Sequence, residues 1–265
     1  GILIEADTDG TITLSASDLD ISIRRKIEAD VEEPGSAVVA SKLFGDIVRK
    51  LPNEMILIEA GDENSVLIKT SSSEFNVIGL SVEDFPQIKD NKEIINRLTF
   101  SCETFKDMVR KTAFAASVEE AKGILTGILT EITPGNVRMV ALDGFRLALS
   151  NEPVEIGTEE SFIITARIMN EISKIISDDN DAEDMEILLS DKKAVFNIGN
   201  TEVSLRLMEG EFIRYRDIIP SDGSTTVIIG KSILLESIER ASLLAREGKN
   251  NLIKISVHND LMTIT

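Results

Sequence analysis

The chain has 265 residues, 42% of them hydrophobic, one cysteine and a formal net charge of −18. That content excludes global disorder, and the length gives a sizeable core in one large domain or two small ones, since single cores stop growing beyond ~250–300 residues. The acidic average argues against tight nucleic-acid binding, the lone Cys102 excludes an internal disulfide or multi-cysteine zinc site, and no apolar run approaches the ~20 residues that span a bilayer.

The chain opens on Gly1 without a signal-peptide pattern, so a cytoplasmic location is expected. Asp9-Gly10 between Ile4 and Ile12 predicts a hairpin turn. Residues 41–51, closed by Pro52, predict a helix in which Leu43, Phe44, Ile47, Val48 and Leu51 form a buried face. Phe105, Met108, Val109, Thr112 and Ala116 recur at helical spacing. Val137, Met139 and Ala141, then Leu147 and Leu149, alternate as strands do. Ile168, Met169, Ile172 and Ile176 mark another helix, and three strands follow at Ile187 to Leu189, Val195 to Ile198 and Val203 to Leu207. Asp191-Lys192 and Gly199-Asn200 are the turns between them. The chain stops at Thr265 inside what reads as a strand, Leu261 to Ile264, so both ends look cropped. Consecutive short strands with helices on one face indicate antiparallel sheet in the α+β class.

These elements repeat. Gly1-Ile2-Leu3-Ile4-Glu5 is similar to Gly127-Ile128-Leu129-Thr130-Glu131, and Ser36 to Lys42 is similar to Ser161 to Arg167. Asp84-Phe85-Pro86 is echoed by Glu211-Phe212-Ile213, and Leu98 to Ser101 with its helix by Val227 to Gly230 with its helix. Near-equal offsets in the same order imply one unit used about three times, the first copy lacking its beginning and the third its end.

The helices depart from the overall acidity. Residues 41–51 carry a net +2, 103–116 and 167–177 a net +1 each, and 231–247 a net of zero. Lys42 and Arg49 share a helix face, and Arg167 and Lys174 repeat that spacing. A mildly basic surface in an acidic chain suits loose, sequence-blind contact with phosphates, although exposed lysines and arginines are commonly ordinary solvated charge. One Tyr and no Trp supply no stacking platform for single strands.

Signals for catalysis are weak. Gly230-Lys231-Ser232 resembles the end of a phosphate-binding loop, but Thr225 stands where its first glycine belongs. Asp7-Thr8-Asp9-Gly10 lacks the remaining ligands of a calcium loop. The run Asp178, Asp179, Asp181, Glu183 and Asp184 reads as a solvated acidic loop. With His258 the only histidine and Cys102 the only cysteine, no catalytic triad can be assembled. No metal or other cofactor is expected, and a metal-dependent hydrolase ranks far below a binding function.

Asp18-Leu19-Asp20, Glu33-Pro34-Gly35, the helix Lys42 to Leu51, Asp84-Phe85-Pro86, Leu142-Asp143-Gly144-Phe145-Arg146-Leu147-Ala148 and Glu211-Phe212 through Tyr215-Arg216 together resemble the bacterial DNA polymerase III beta subunits, the sliding clamps. The resemblance runs in order along essentially the whole chain, and Asp-Gly-x-Arg-Leu is its most specific element. It implies repeated clamp-type domains, here 1–96, 97–222 and 223–265, the first and last incomplete. Two subunits would join head to tail in a ring, with antiparallel sheets outside and helices lining a central hole. The expected function is a non-catalytic processivity factor that encircles duplex DNA. The implied partners are a second copy, the polymerase catalytic subunit, the clamp loader and other proteins carrying a clamp-binding motif, with no membrane.

Carried over by resemblance, the DNA-facing residues are Lys42, Arg49, Lys106, Arg110, Lys111, Arg167, Lys174, Lys231 and Arg240. The partner-peptide pocket matches Leu125, Leu142, Gly144, Phe145, Arg146, Leu147, Ile213 and Ile218. The subunit interface matches Phe75 and Val77 against Leu243 and Leu244. The sequence departs from better-known members at Leu142, Phe145, Ile213 and Asp217, which leaves the peptide preference open, and a peptide-binding scaffold that does not encircle DNA remains the alternative.

Overall fold

A computed structural model describes residues 1–18, 20–86, 96–178, 182–247 and 251–265. The chain divides into two compact units, Gly1–Phe212 and Ile213–Thr265. In the first, short strands β1 (Ile2–Asp7), β2 (Thr11–Ser17), β3 (Ile21–Glu28) and β4 (Gly35–Val39) lead into helix α1 (Ser41–Val48), then β5 (Leu57–Ala60), β6 (Ser65–Lys69) and β7 (Glu74–Ile78). The pattern then recurs with one strand and one helix in front. These are β8 (Asn96–Ser101) and α2 (Cys102–Thr112), followed by β9 (Gly127–Thr133), β10 (Asn136–Leu142), β11 (Leu147–Pro153) and β12 (Glu160–Thr165). Helix α3 (Ala166–Asp178) and strands β13 (Asp184–Leu189), β14 (Lys193–Ile198) and β15 (Thr201–Arg206) complete it. All paired strands are antiparallel, as the α+β expectation required.

The repeat seen in sequence is a repeat of topology. Strands β4-β1-β2-β3 lie side by side in the first copy and β12-β9-β10-β11 in the second. In each copy the first of these strands is flanked by the second and the fourth, and the fourth leads into a helix. Strands β5-β6-β7 of the first copy correspond to β13-β14-β15 of the second. The copies are fused edge to edge: β3 pairs with β15, Ile23 opposite Val203 and Ser22 opposite Ser204, and the result is one eight-stranded sheet. Arg24 closes on Glu202 at 3.6 Å, and Arg25 donates to the Thr201 hydroxyl, so side chains reinforce the backbone seam.

The second copy holds the larger core. Met108, Val137, Ile164, Met169, Ile172 and Phe196 are at most 1% exposed within it, and each such side chain contributes about 1.5–3 kcal/mol by leaving water. Phe105 on α2 meets Phe100 of β8 edge-on at 6.1 Å and Phe196 of β14 at 5.8 Å, which pins the helix across the sheet. Ser101 caps α2 by accepting from the Thr104 amide, and Thr165 accepts from the Ile168 amide at the start of α3.

Three expectations change. In α1 only Phe44 and Ile47 are buried; Leu43 and Val48 are 49% and 40% exposed. The first copy's buried cluster is Ile4, Val39, Phe44, Ile47, Val66 and Ile68, and among the described residues no counterpart of α2, which packs on α3 in the second copy, stands beside α1. In β11 the buried positions are Ala148 and Ser150, while Leu149 faces solvent. Register decides this, because Ser150 pairs with Met139 on the core face and Leu149 with Val140 on the other. Residues 227–230 form no strand. Among the described residues strand β8 pairs only with β13, and residues 213–265 contain no described equivalent of β13; they form α4 (Lys231–Ala245) and the hairpin of β16 (Ile255–His258) and β17 (Leu261–Ile264).

Thr130 and Ser150 flank Met139 in one row of the second sheet, and among the described residues neither buried hydroxyl has a hydrogen-bond partner. Thr130→Val keeps the shape and removes the stranded hydroxyl, so it should stabilise by about 1 kcal/mol and raise Tm by roughly 2–4 °C in calorimetry. A lowered Tm would show that the hydroxyl is satisfied in solution.

Candidate peptide pocket and nucleic-acid face

The site in the first unit is built on the tight turn between β10 and β11. Leu142 pairs with Leu147, and residues 143–146 cross over. Gly144 has φ +95°, a conformation that suits glycine. Asp143 fixes the rest: its Oδ1 accepts from the Phe145 amide at 2.9 Å and the Arg146 amide at 3.0 Å, and its Oδ2 accepts from Arg146 Nε at 3.0 Å. Those amides, first Phe145 and then Arg146, hold the Asp143 carboxyl below the ordinary aspartate range.

This turn presents its side chains outward. Phe145 is 94% exposed, with Lys122 Nζ 5.6 Å from its ring centre. Lys122 also donates to the Asp143 carbonyl at 3.4 Å. The Arg146 guanidinium stands 5.8 Å from the ring of Phe114, itself exposed on the turn that follows α2. Leu147 is half-buried, and Leu125 is half-buried with its carbonyl taken by the Ser117 amide.

Of the eight expected pocket residues, Leu142, Gly144, Phe145, Arg146 and Leu147 therefore share one turn. Leu142 is only 3% exposed and lies on the face of β10 that also carries Val140. Ile213 and Ile218 belong to the second unit, where they flank the short turn Tyr215–Asp217 and are 39% and 55% exposed. Asp143, Phe114 and Lys122 were not expected. An aspartate just before a glycine turn is the signal for the first. For Phe114 the signal is its position on the opposite side of the helical stripe from Phe105, at ~100° per residue.

The basic helix faces are exposed, and most of their cations already hold a neighbouring carboxylate. Arg49 pairs with Asp46 at 2.7 Å, Lys174 with Glu171 at 2.8 Å, and Arg110 with Asp107. Arg167 reaches Asp18 at 4.0 Å, and Arg240 reaches Glu236 at 3.8 Å. Lys111 is committed further. It bonds Asp107 on its own helix and Glu152 on β11 at 2.9 Å, and these carboxylates, Asp107 foremost, raise its pKa while Lys111 and then Arg110 lower that of Asp107. Lys111 is thus a tie between α2 and β11. Among the described residues Lys42, Lys106 and Lys231 make no ion pair, and of these Lys42 and Lys231 are exposed.

Phe75 and Val77 lie on β7, the free edge of the three-stranded sheet, with Phe75 exposed and Val77 packed on the small core. Leu243 and Leu244 are 66% and 81% exposed on α4. In the acidic run, Asp179, Asp181 and the side chain of Asp178 lie outside the described residues, as does Leu19 of the Asp18-Leu19-Asp20 segment. Glu183 gives its carbonyl to the Cys102 amide. Among the described residues no group of three or more metal-ligating side chains occurs, and no helix is long and apolar enough to cross a membrane.

Comparison with known proteins fits this geometry. Residues 1–89 match the family model for the DNA polymerase III beta subunit N-terminal domain, and residues 99–213 match that for its central domain. The beta sliding clamp of Bacillus subtilis is 33% identical over 97% of this chain and 69% of its own length. That of Halalkalibacterium halodurans is 34% identical over 98% and 70%. The crystal structure of the Bacillus subtilis DNA polymerase sliding clamp superposes with a TM-score of 0.90 at 31% identity, covering all of this chain and 71% of that one. The Thermotoga maritima DNA polymerase III beta subunit gives 0.91 at 25% identity, again over 100% and 71%. The two copies fused through β3 and β15 are thus clamp domains, and the chain belongs to the DNA polymerase III beta subunit family, the beta sliding clamps.

Proposed function

We propose that the chain is part of a non-catalytic DNA sliding clamp: a processivity factor that closes with a second copy into a ring around duplex DNA and captures partner peptides at the β10–β11 turn. The β3–β15 seam carries this reading. The same strands recur in each copy, so every copy offers one edge like β3 and one like β15. Within the first unit β11, the counterpart of β3, and β7, the counterpart of β15, remain at sheet edges. Edges that repeat the same pairing generate a head-to-tail series, which becomes a ring when its rotation closes. Phe75 and Val77 on β7 then belong to the joint between subunits, with Leu243 and Leu244 across it, and the domains follow as 1–96, 97–222 and 223–265. A scaffold that binds peptides without encircling DNA gives no account of this repeated seam.

The helix faces supply the contact with DNA. Arg49, Arg110, Lys174 and Arg240 are screened by i,i+3 or i,i+4 carboxylates, so these attract phosphate weakly, which suits a ring that must move. Lys42, Arg49, Arg167 and Lys174 are placed on this inner surface, with Lys106, Arg110, Lys231 and Arg240; Lys111 contributes mainly to the fold. Partners are the polymerase catalytic subunit, the clamp loader and other proteins with a short clamp-binding segment, in the cytoplasm. At the pocket, Leu125, Phe145, Arg146 and Leu147 receive that segment, with Gly144 allowing close backbone approach.

Reversing charge at Lys42, Arg49, Arg167 and Lys174 together should lower loading onto circular DNA by on the order of tenfold, and each single reversal by less than about twofold. Normal processivity of the quadruple variant with its polymerase would remove these helices from the DNA face. Asp143→Ala should weaken a labelled peptide from the polymerase docking segment by about tenfold in fluorescence anisotropy, while Asp143→Asn, still an acceptor, loses less. The folded Asp143 carboxyl has a depressed pKa, so its support of the turn is present above the unfolded value and is lost as pH falls through the folded one. Peptide affinity should therefore stay level from neutrality down to about pH 4 and fall below it; equal affinity of the alanine variant would separate the turn from peptide capture.

A further inference from the structure

The two copies that open on Gly1 and Gly127 also end on the same crossing. Leaving β7, Gly79 donates its amide to the Asn64 carbonyl at 2.7 Å, and Leu80 donates to the Val38 carbonyl of β4 at 2.8 Å. Leaving β15, Leu207 donates to the Lys192 carbonyl at 2.9 Å, and Met208 donates to the Ile163 carbonyl of β12 at 2.9 Å. In each copy the first bond reaches a turn of the sheet just left, and the second reaches an edge strand of the other sheet. The glycine at the head of each copy makes room for the residue that crosses. A β-carbon at position 127 would stand 2.5 Å from Ile163 Cγ2 and 2.7 Å from Met208 Sδ, and one at position 1 would stand 2.7 Å from Val38 Cγ1 and 3.5 Å from Leu80 Cδ1. In the second copy Lys192 also pairs with Glu209 at 3.0 Å, so one residue holds the chain on both sides of Met208. Leu207 lines a cleft of about 250 Å³ whose walls include Phe162 of β12 and Leu189 of β13, and Asn96 of β8 ties the two sheets there by donating to Glu160.

We propose that Leu207 and Met208 form a latch across the open end of the second copy, that Gly127 is its seat, and that it releases without unfolding the core. Seated, the latch ties the sheet that carries the β3–β15 seam to the sheet that carries the β10–β11 turn, so the two move as one block. Released, it lets those sheets part at the cleft. The forces that hold it are local: two backbone bonds, a half-buried Met208 and an ion pair whose side chains are both well exposed. A segment held in this way opens at lower cost than the core built on Phe105, Met169, Ile172 and Phe196. The device belongs to the fold of one copy and stands whether or not copies close into a ring.

Amide hydrogen exchange on the full-length protein tests it. In wild type the Leu207 and Met208 amides should exchange about a hundredfold more slowly than an open chain, yet at least about tenfold faster than those of Phe196 and Val203, which report global opening. Met208→Ala, which leaves the backbone bonds in place, should speed exchange at both latch amides by about tenfold and leave Phe196 and Val203 unchanged. Gly127→Ala should do the same by pushing Met208 off its seat, and the double variant should add little, because both changes act on one contact. If Gly127→Ala also loosens the core, the Met208 variant alone decides. Latch amides that exchange with the core in wild type, latch amides without protection, or a Met208→Ala variant that exchanges as wild type does would each overturn the proposal.

Discussion

The pairing of β3 with β15 is the contact on which the rest of the structure depends. A sheet edge is a row of unpaired amides and carbonyls, and a chain built from repeated copies presents such edges at regular intervals. Here one copy's edge satisfies the next copy's, with Ile23 against Val203 and Ile21 against Leu205 along the seam. The eight-stranded sheet that results makes two domains mechanically continuous, and it holds α2 and α3 against the larger core through Phe105, Met108, Met169 and Ile172. A fold in which domains join by their edges can close on itself only by finding partners for the last two edges. Ring formation is therefore the natural completion of the seam, not a separate property.

Electrostatics follow the same economy. The chain is strongly acidic, yet its helices are neutral to mildly basic, and the structure shows how they stay so. Asp46, Asp107, Glu171 and Glu236 sit one turn from the cations they temper. Phosphate contact made by such pairs is shallow and salt-sensitive, and it carries no sequence information. The β10–β11 turn is arranged the other way. Asp143, Gly144 and two backbone amides hold a small rigid constellation on a tight hairpin, which favours recognition of one shape.

Much of this was legible in sequence because repeats preserve spacing. Offsets near 126 residues were visible between Gly1–Glu5 and Gly127–Glu131, and these stretches became the equivalent strands β1 and β9. Helical periodicity located Phe105, Met108, Val109 and Thr112 in α2 and Ile168, Met169, Ile172 and Ile176 in α3, all buried. Properties set by tertiary context were hidden. Leu149 carries the more hydrophobic side chain, but register turns Ser150 inward. Leu43 and Val48 follow the helical stripe, but no described counterpart of α2 covers them as α2 covers α3. The stretch Val227–Gly230 is similar in apolar pattern to part of β8 but forms no strand. In the candidate site, composition supplied the charges of the helix faces but not their ion pairs. The motif Asp-Gly-x-Arg-Leu marked the turn without showing that Asp143 holds it or that Phe114 stands beside Arg146.

Topological retention is the most direct test of a ring. The full-length protein would be loaded by its clamp loader onto nicked circular DNA, and the bound fraction measured before and after the circle is cut. The account predicts stable retention on the circle and rapid loss once ends are available, because the protein is held by closure and not by its weak phosphate contacts. Equal retention on circular and linear DNA would mean that chemical binding holds it, and the ring would be contradicted.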